Sequence, residues 1–428
     1  MTEILETRPE FLEFPVYKLC NQIQHYAWGP PSTSSASNFI PNLLGVAGDG
    51  KPWAELWMGC HPGGPSQVIL PSGPAKLAEL ISSDPERCLG EKIAKRFNGL
   101  PFLFKLLAAG KPLSIQAHPN QAQAQEGFDR DNKAGLPPDA PNRSYRDSNH
   151  KPELICALAP FTGLCGFRSP AEIRRLFSVF LESPAVPDIV HKDLSLMLEA
   201  LEISGTDNGE AALREFFNEL LKLAPATRDA LSQYILCANE TDSPEWRRRP
   251  IWVLMREFAR LYPGDPAVIS PLFMNIFRLE PGEAIFLQAG ILHSYCHGFG
   301  VELMANSDNV LRGGLTDKFI NIPELMKVVD FKPFTPQVIK PEPGFSCFTY
   351  PVPCAEFSLT VIQDKYGENG AILFPRNGPA IGIVTEGELA IDDMILKRGE
   401  SVFIPPASEK LSLRGHFTFY IASCGKSQ

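Results

Sequence analysis

No run of apolar residues in the 428-residue chain approaches the ~20 needed to span a membrane, so no membrane segment is expected. The start, Met1-Thr2-Glu3-Ile4-Leu5-Glu6, lacks the basic-then-apolar order of a secretory leader. The ten cysteines form no Cys-x-x-Cys pair, so neither a zinc ribbon nor a disulfide framework is indicated. A reducing, cytoplasmic setting is the expectation. Positive charge is also short: the net charge is −9, with no basic stripe to offset it, and nucleic acid is not expected as a partner. A small anionic ligand stays open, because it responds to local rather than total charge. No glycine-rich nucleotide loop precedes the first strand-rich region, which speaks against a nucleotidyltransferase.

What is present is length enough for two or three cores, with 28 Phe as bulky core material. Forty Pro and 33 Gly favour many short elements and turns over long helices. Residues 15–167 carry short apolar runs broken by Gly and Pro, as strands do. From 168 to 264 the pattern turns helical. Ser169-Pro170-Ala171-Glu172 predicts a capped start with a capping-box Glu, and further helices are expected around 193–202, 210–223, 227–238 and 245–262. Within the last, Arg247-Arg248-Arg249 reads as a solvated face. Strand character returns over 265–332, a Pro-rich segment at 333–344 reads as a linker, and 345–428 is again strand-like. A weak repeat relates Gly282-Glu283-Ala284-Ile285-Phe286-Leu287 to Gly399-Glu400-Ser401-Val402-Phe403-Ile404, and only the first copy leads to a histidine, His293.

The stretch Leu113-Ser114-Ile115-Gln116-Ala117-His118 carries the most chemistry. In a strand, residues two apart share a face, so Ser114, Gln116 and His118 would line one side and Leu113, Ile115 and Ala117 the other. Glu153, from Asn149-His150-Lys151-Pro152-Glu153, and His293 could complete a single metal site with Gln116 and His118. Two nitrogen and two oxygen donors suit Zn²⁺, while Mn²⁺ or Fe²⁺ would also be accepted. Alternation places Lys151 on the side of Glu153. His150, Lys151, Glu302 and Asp308 carry groups able to move a proton. Ser114, Lys105 and Lys318 carry groups able to donate to a small anion. Lys105 stands out because it lies inside the apolar run Phe102-Leu103-Phe104-Lys105-Leu106-Leu107.

The spacing from Gly282 through Gln288 and Gly290 to His293 resembles the second cupin motif, with Gln288 where that family usually has Pro. Five further segments resemble type I phosphomannose isomerases: Tyr26-Ala27-Trp28-Gly29; Ala54 to Pro62; Leu113 to Asn120; Asn149 to Glu153; and Val301-Glu302-Leu303-Met304-Ala305-Asn306-Ser307-Asp308-Asn309-Val310-Leu311-Arg312-Gly313-Gly314-Leu315-Thr316. They occur in family order and span most of the chain. Two departures are a long connection between His118 and Glu153, and Asp317 where the family usually has Pro.

The resemblance implies a mainly β fold with an α-helical insertion: two cupin-type jelly-roll barrels, the second without metal ligands, plus a helical domain. It implies one Zn²⁺ per chain on Gln116, His118, Glu153 and His293, and a catalytic Arg312, which can brace an oxyanion or grip phosphate. The implied reaction interconverts mannose 6-phosphate and fructose 6-phosphate through a cis-enediol, in a monomeric enzyme. Two rival classes remain at this point: a cupin Fe²⁺ or Mn²⁺ dioxygenase, and a non-catalytic sugar-phosphate binder. Iron content and oxygen dependence mark the first, and loss of Arg312 or of a ligand the second.

Overall fold

The computed structural model describes residues 16–33, 38–201, 209–238, 249–364, 367, 370–407 and 409–425. The acidic start, the end of the expected 193–202 helix at residue 202, and residues 245–248, with two arginines of the basic cluster, lie outside them. Two antiparallel sheets and twelve α-helices are present among the described residues, and helix and strand claim about equal shares. This is more helix than the mainly β expectation allowed. Part of the excess lies in polar helices that leave little apolar periodicity to read, such as Glu91–Phe97 and Gln121–Lys133. Gln121–Lys133 buries only Ala124, Gly127 and Asp131, and is started by a capping box between Asn120 and Gln123.

The chain divides into two compact units. One comprises residues 1–108, 301–306 and 339–428. Its ten-stranded sheet runs from the edge pair Gln67–Leu70 and Gly73–Lys76 through Tyr17–Cys20 to the C-terminal strands. Tyr17 pairs with Phe403 and Leu19 with Val68. Val384, Leu389, Val402, Ile404, Phe417, Phe419 and Ile421 build its core.

The other unit comprises residues 109–300 and 307–338. Five helices follow one another here: Pro170–Leu181, Asp188–Glu199, Glu210–Leu221, Pro225–Cys237 and Pro250–Leu261. Ser169 accepts the N–H of Glu172 and Pro170 opens the first of them, as expected. The Glu172 carboxylate turns to Arg168 instead of completing a capping box, because a guanidinium within reach is the stronger donor. Phe177, Phe180, Phe216, Phe217, Trp252 and Phe258 sink into one apolar cluster with Ile115, Ala117, Leu164 and Leu311 from the strands. Each such ring buried contributes roughly 2–3 kcal/mol. The helices therefore form the hydrophobic backing of the strand that carries Gln116.

No helix among the described residues is long and apolar enough to cross a membrane. The sequence repeat has a structural counterpart. Gly282 and Gly399 stand at φ 88° and 87°, each followed by a four-residue strand, Ala284–Leu287 and Ser401–Ile404.

Candidate metal centre

The expected alternation holds over the short strand Ile115–Ala117. Ile115 and Ala117 are fully buried in the apolar cluster, and Gln116 faces the other way, half-buried. Register then assembles the site: His293 and Arg312 both sit opposite Gln116, on either side of its strand. Glu153 opens the strand Glu153–Ala157 and pairs with Leu287. Gly290 makes the turn that leads to His293, at φ 83°, with its N–H on the His118 carbonyl at 2.9 Å. A Cβ there would lie 3.1 Å from the Val328 carbonyl oxygen, so both conformation and space ask for glycine.

Glu153 lies between the two rings. His118 Nε2 is 3.3 Å from Glu153 Oε1, and His293 Nε2 is 3.3 Å from Glu153 Oε2. Gln116 Nε2 is 3.4 Å from His293 Nε2, and rotating the amide end for end would put its oxygen there. Each histidine is oriented through its other nitrogen. Nδ1 of His118 meets the Asn309 carbonyl at 2.7 Å, and Nδ1 of His293 meets the Ile291 carbonyl at 2.9 Å. A carbonyl can only accept, so each ring carries a proton on Nδ1 and turns its Nε2 toward Glu153.

These features fit a divalent cation. His118 Nε2 and Glu153 Oε2 are buried with no hydrogen-bond partner, so two acceptor atoms have been withdrawn from water without compensation. One donor atom each from His118, Glu153 and His293 lies within 4.8 Å of the others. Ligands about 2.1 Å from a tetrahedral zinc stand about 3.4 Å apart, close to the separations seen. Protonation favours binding as well. Burial pushes His118 down to about 4 against the opposing pull of Glu153, so it is neutral near pH 7. Burial alone would raise the Glu153 carboxyl, but Lys151, His118 and His293 outweigh it and hold it well below the ordinary range. The Lys151 ammonium lies 3.0 Å from Glu153 Oε1.

The remaining candidates are distributed as follows. Arg312 is half-buried, and its pKa is lowered by burial and by the neighbouring Arg146, with Asp317 opposing. Arg146 escaped sequence reasoning, since one arginine in a long connection carries no pattern. Among the described residues, neither guanidinium forms an ion pair. Ser114 and His150 are half-buried; Asp308 and Lys318 are exposed, with their backbone N–H groups bonded to Asp147 Oδ2 and Thr316 Oγ1. Lys105 and Glu302 belong to the other unit, where they bond to each other at 2.9 Å. Glu55 stands 3.7 Å from the same ammonium, and the Trp57 ring lies beneath it.

The long connection after His118 is pinned down by charge. Glu324 accepts from Arg130 and Lys327, each at 2.8 Å, and from the Tyr145 hydroxyl at 3.2 Å. Burial raises the Glu324 carboxyl, but Lys327 and Arg130 bring it below its usual value of 4.5. A depressed carboxyl stabilises the fold fully above its unfolded pKa, and that contribution fades as pH falls through the folded value. Glu324→Gln is therefore expected to lose about 1.5–3 kcal/mol near pH 7. In urea titrations its deficit against the parent should shrink below about pH 4.5. A deficit unchanged by acid would show that the charge contributes nothing.

Comparison with known proteins agrees with this geometry. Residues 16–170 match the family described as phosphomannose isomerase type I, catalytic domain. The mannose-6-phosphate isomerase of Escherichia coli is 37% identical over 409 residues, covering 93% of this chain and 97% of the relative. The Homo sapiens enzyme is 32% identical over 421 residues, covering 93% and 95%. A solved mannose 6-phosphate isomerase with zinc bound superposes with a TM-score of 0.82 at 34% identity, over 96% of this chain and all of that one. Such identity over nearly the full length, joined to a buried His-Glu-His cluster with orphaned donor atoms, places the chain among the type I phosphomannose isomerases.

Proposed function

We propose that this protein interconverts mannose 6-phosphate and fructose 6-phosphate, with Gln116, His118, Glu153 and His293 holding one Zn²⁺. The observation that carries the reading is the buried trio His118, Glu153 and His293, with His293 opposite Gln116 on one side of its strand and Arg312 opposite it on the other. Zinc in that position supplies a Lewis acid for the sugar carbonyl, worth several kcal/mol at the transition state.

The chain's own groups supply the rest. Lys151, 3.0 Å from Glu153, is the proton carrier in this reading. It carries the proton from C2 of the aldose, leaving a cis-enediolate, and delivers it to C1 of the ketose, while the hydroxyl proton passes from O2 to O1. His150 and Asp308 stay secondary candidates as base, as does Glu302, whose carboxylate is committed to Lys105. The Arg312 guanidinium braces the negative charge that develops on the substrate. Arg146, Ser114 and Lys318 are assigned to the phosphate end, with Lys105 ranked below them because of its ion pair. The proton moves between adjacent carbons, so no oxidant or reductant is required.

The finer architectural reading is two cupin-type barrels, with residues 168–264 inserted into the first. The repeated glycine-and-strand unit at Gly282 and Gly399 supports it. Ten free thiols are consistent with work in the cytosol, and the chain is read here as a monomer. The test is a turnover assay on purified protein with elemental analysis. Conversion in both directions is expected, lost on chelation and restored by Zn²⁺, and failure of both conversion and metal dependence would refute the reading.

A further inference from the structure

Asn309 is wholly buried, and no step of the proposed reaction uses it. Its side chain works on one short segment. Oδ1 accepts the N–H of Arg146 at 2.7 Å and of Asp147 at 3.3 Å, while Nδ2 donates to the carbonyls of Asp147 at 2.8 Å and Asn149 at 2.9 Å. Nδ2 also lies 3.3 Å from Asp147 Oδ1. Ser307 closes the arrangement: its Oγ accepts the Asn309 N–H and donates to the Asn149 carbonyl, both at 3.1 Å. The Asn309 carbonyl, meanwhile, is the acceptor that fixes the His118 ring. One residue therefore ties the segment leading into His150 and Lys151 to a ligand of the metal.

We propose that Asn309 is a positioning residue that sets both the aim of the His118 lone pair and the entry of His150-Lys151 into the site. The inference rests on the metal-isomerase reading and deepens it. Only a primary amide presents an acceptor and two donors in this fork. Aspartate in its place would turn two donated bonds into repulsions against the carbonyls of Asp147 and Asn149, and alanine would take the side-chain partner from three backbone groups, the N–H of Arg146 and both the N–H and the carbonyl of Asp147. In either case the carbonyl of residue 309 shifts and His118 loses its aim. Partners of this kind typically alter metal affinity 10- to 100-fold when removed.

The experiment compares the parent with Asn309→Asp, Asn309→Ala and the milder Ser307→Ala. Zinc affinity is read by competition with a chromophoric chelator, and ligand geometry from the visible bands of the Co²⁺-loaded proteins. Asn309→Asp and Asn309→Ala are expected to bind zinc about 10- to 100-fold more weakly, with displaced Co²⁺ bands, which loss of stability alone would not cause. Ser307→Ala should show the same trend to a smaller degree, and it decides the matter if the other two fail to fold. Affinities within twofold of the parent and unchanged Co²⁺ bands in every folded variant would overturn the proposal. A parent that binds no zinc sinks the metal reading and this inference together. A parent that binds zinc but does not isomerise sinks only the reaction, and the variant comparison still tests Asn309.

Discussion

Replacing Glu153 by alanine is expected to lower turnover at least about 10³-fold and to strip the protein of zinc. The several kcal/mol that a Lewis acid contributes correspond to three or more decades of rate, at 1.36 kcal/mol for each. Glu153 touches both imidazoles at 3.3 Å and Lys151 at 3.0 Å. Its loss leaves the Lys151 ammonium buried without a counter-charge, which costs about 3–5 kcal/mol of stability. Glu153→Gln keeps the volume and one oxygen donor, so it should fold better while still binding zinc weakly. Elemental analysis, thermal melts and turnover on the same preparations check all three effects. A zinc-free Glu153→Ala protein within tenfold of the parent's rate would dispose of the metal's role.

Arg312→Ala should separate charge stabilisation from metal binding. Removing a preorganised donor aimed at developing negative charge typically costs 10²–10³-fold in rate, and that loss is expected in kcat. Zinc content should not change, because Arg312 is not among the four proposed ligands and its backbone pairing opposite Gln116 survives the substitution. The guanidinium stands half-buried beside a second arginine and forms no ion pair among the described residues. A site in that electrostatic state favours an arriving anion. Arg312→Lys keeps the charge but loses the planar fork, so partial recovery is expected. Full activity in Arg312→Ala, with zinc retained, would remove the arginine from the mechanism.

Much of the proposed centre was legible because strand alternation is a short-range code. Gln116 between two apolar neighbours announced a face, and the structure buries Ile115 and Ala117 as that code requires. Lys151 lies two residues ahead of the strand Glu153–Ala157 and outside it, yet its ammonium reaches Glu153 as the alternation led one to expect. His293 entered the set by its donor chemistry and was supported by the family resemblance, since the register Leu287 to Glu153 and His293 to Gln116 depends on pairings across more than a hundred residues that local spacing does not reveal. Asn309 stayed hidden for another reason. Its contacts are to backbone groups, which every residue carries, so its role leaves no mark on the partner sequence. Helices such as Glu91–Phe97 and Gln121–Lys133 were missed because the first buries no side chain and the second only Ala124, Gly127 and Asp131, which leaves little periodicity to read. Lys105, conspicuous in an apolar run, proved to be conspicuous for a partner: Glu302 meets it in a buried ion pair.

The pairing of Tyr17–Cys20 with Ser401–Ile404 has a consequence for biosynthesis. At about 5–20 residues per second, a ribosome takes roughly 20–80 s to deliver the second strand after the first has emerged. Throughout that interval the outer edge of the early strand has no native neighbour, and an exposed edge is open to strands from other nascent chains. Chaperone dependence during translation, easing sharply once residue 404 has cleared the exit tunnel, is what this topology demands of the cell that makes it.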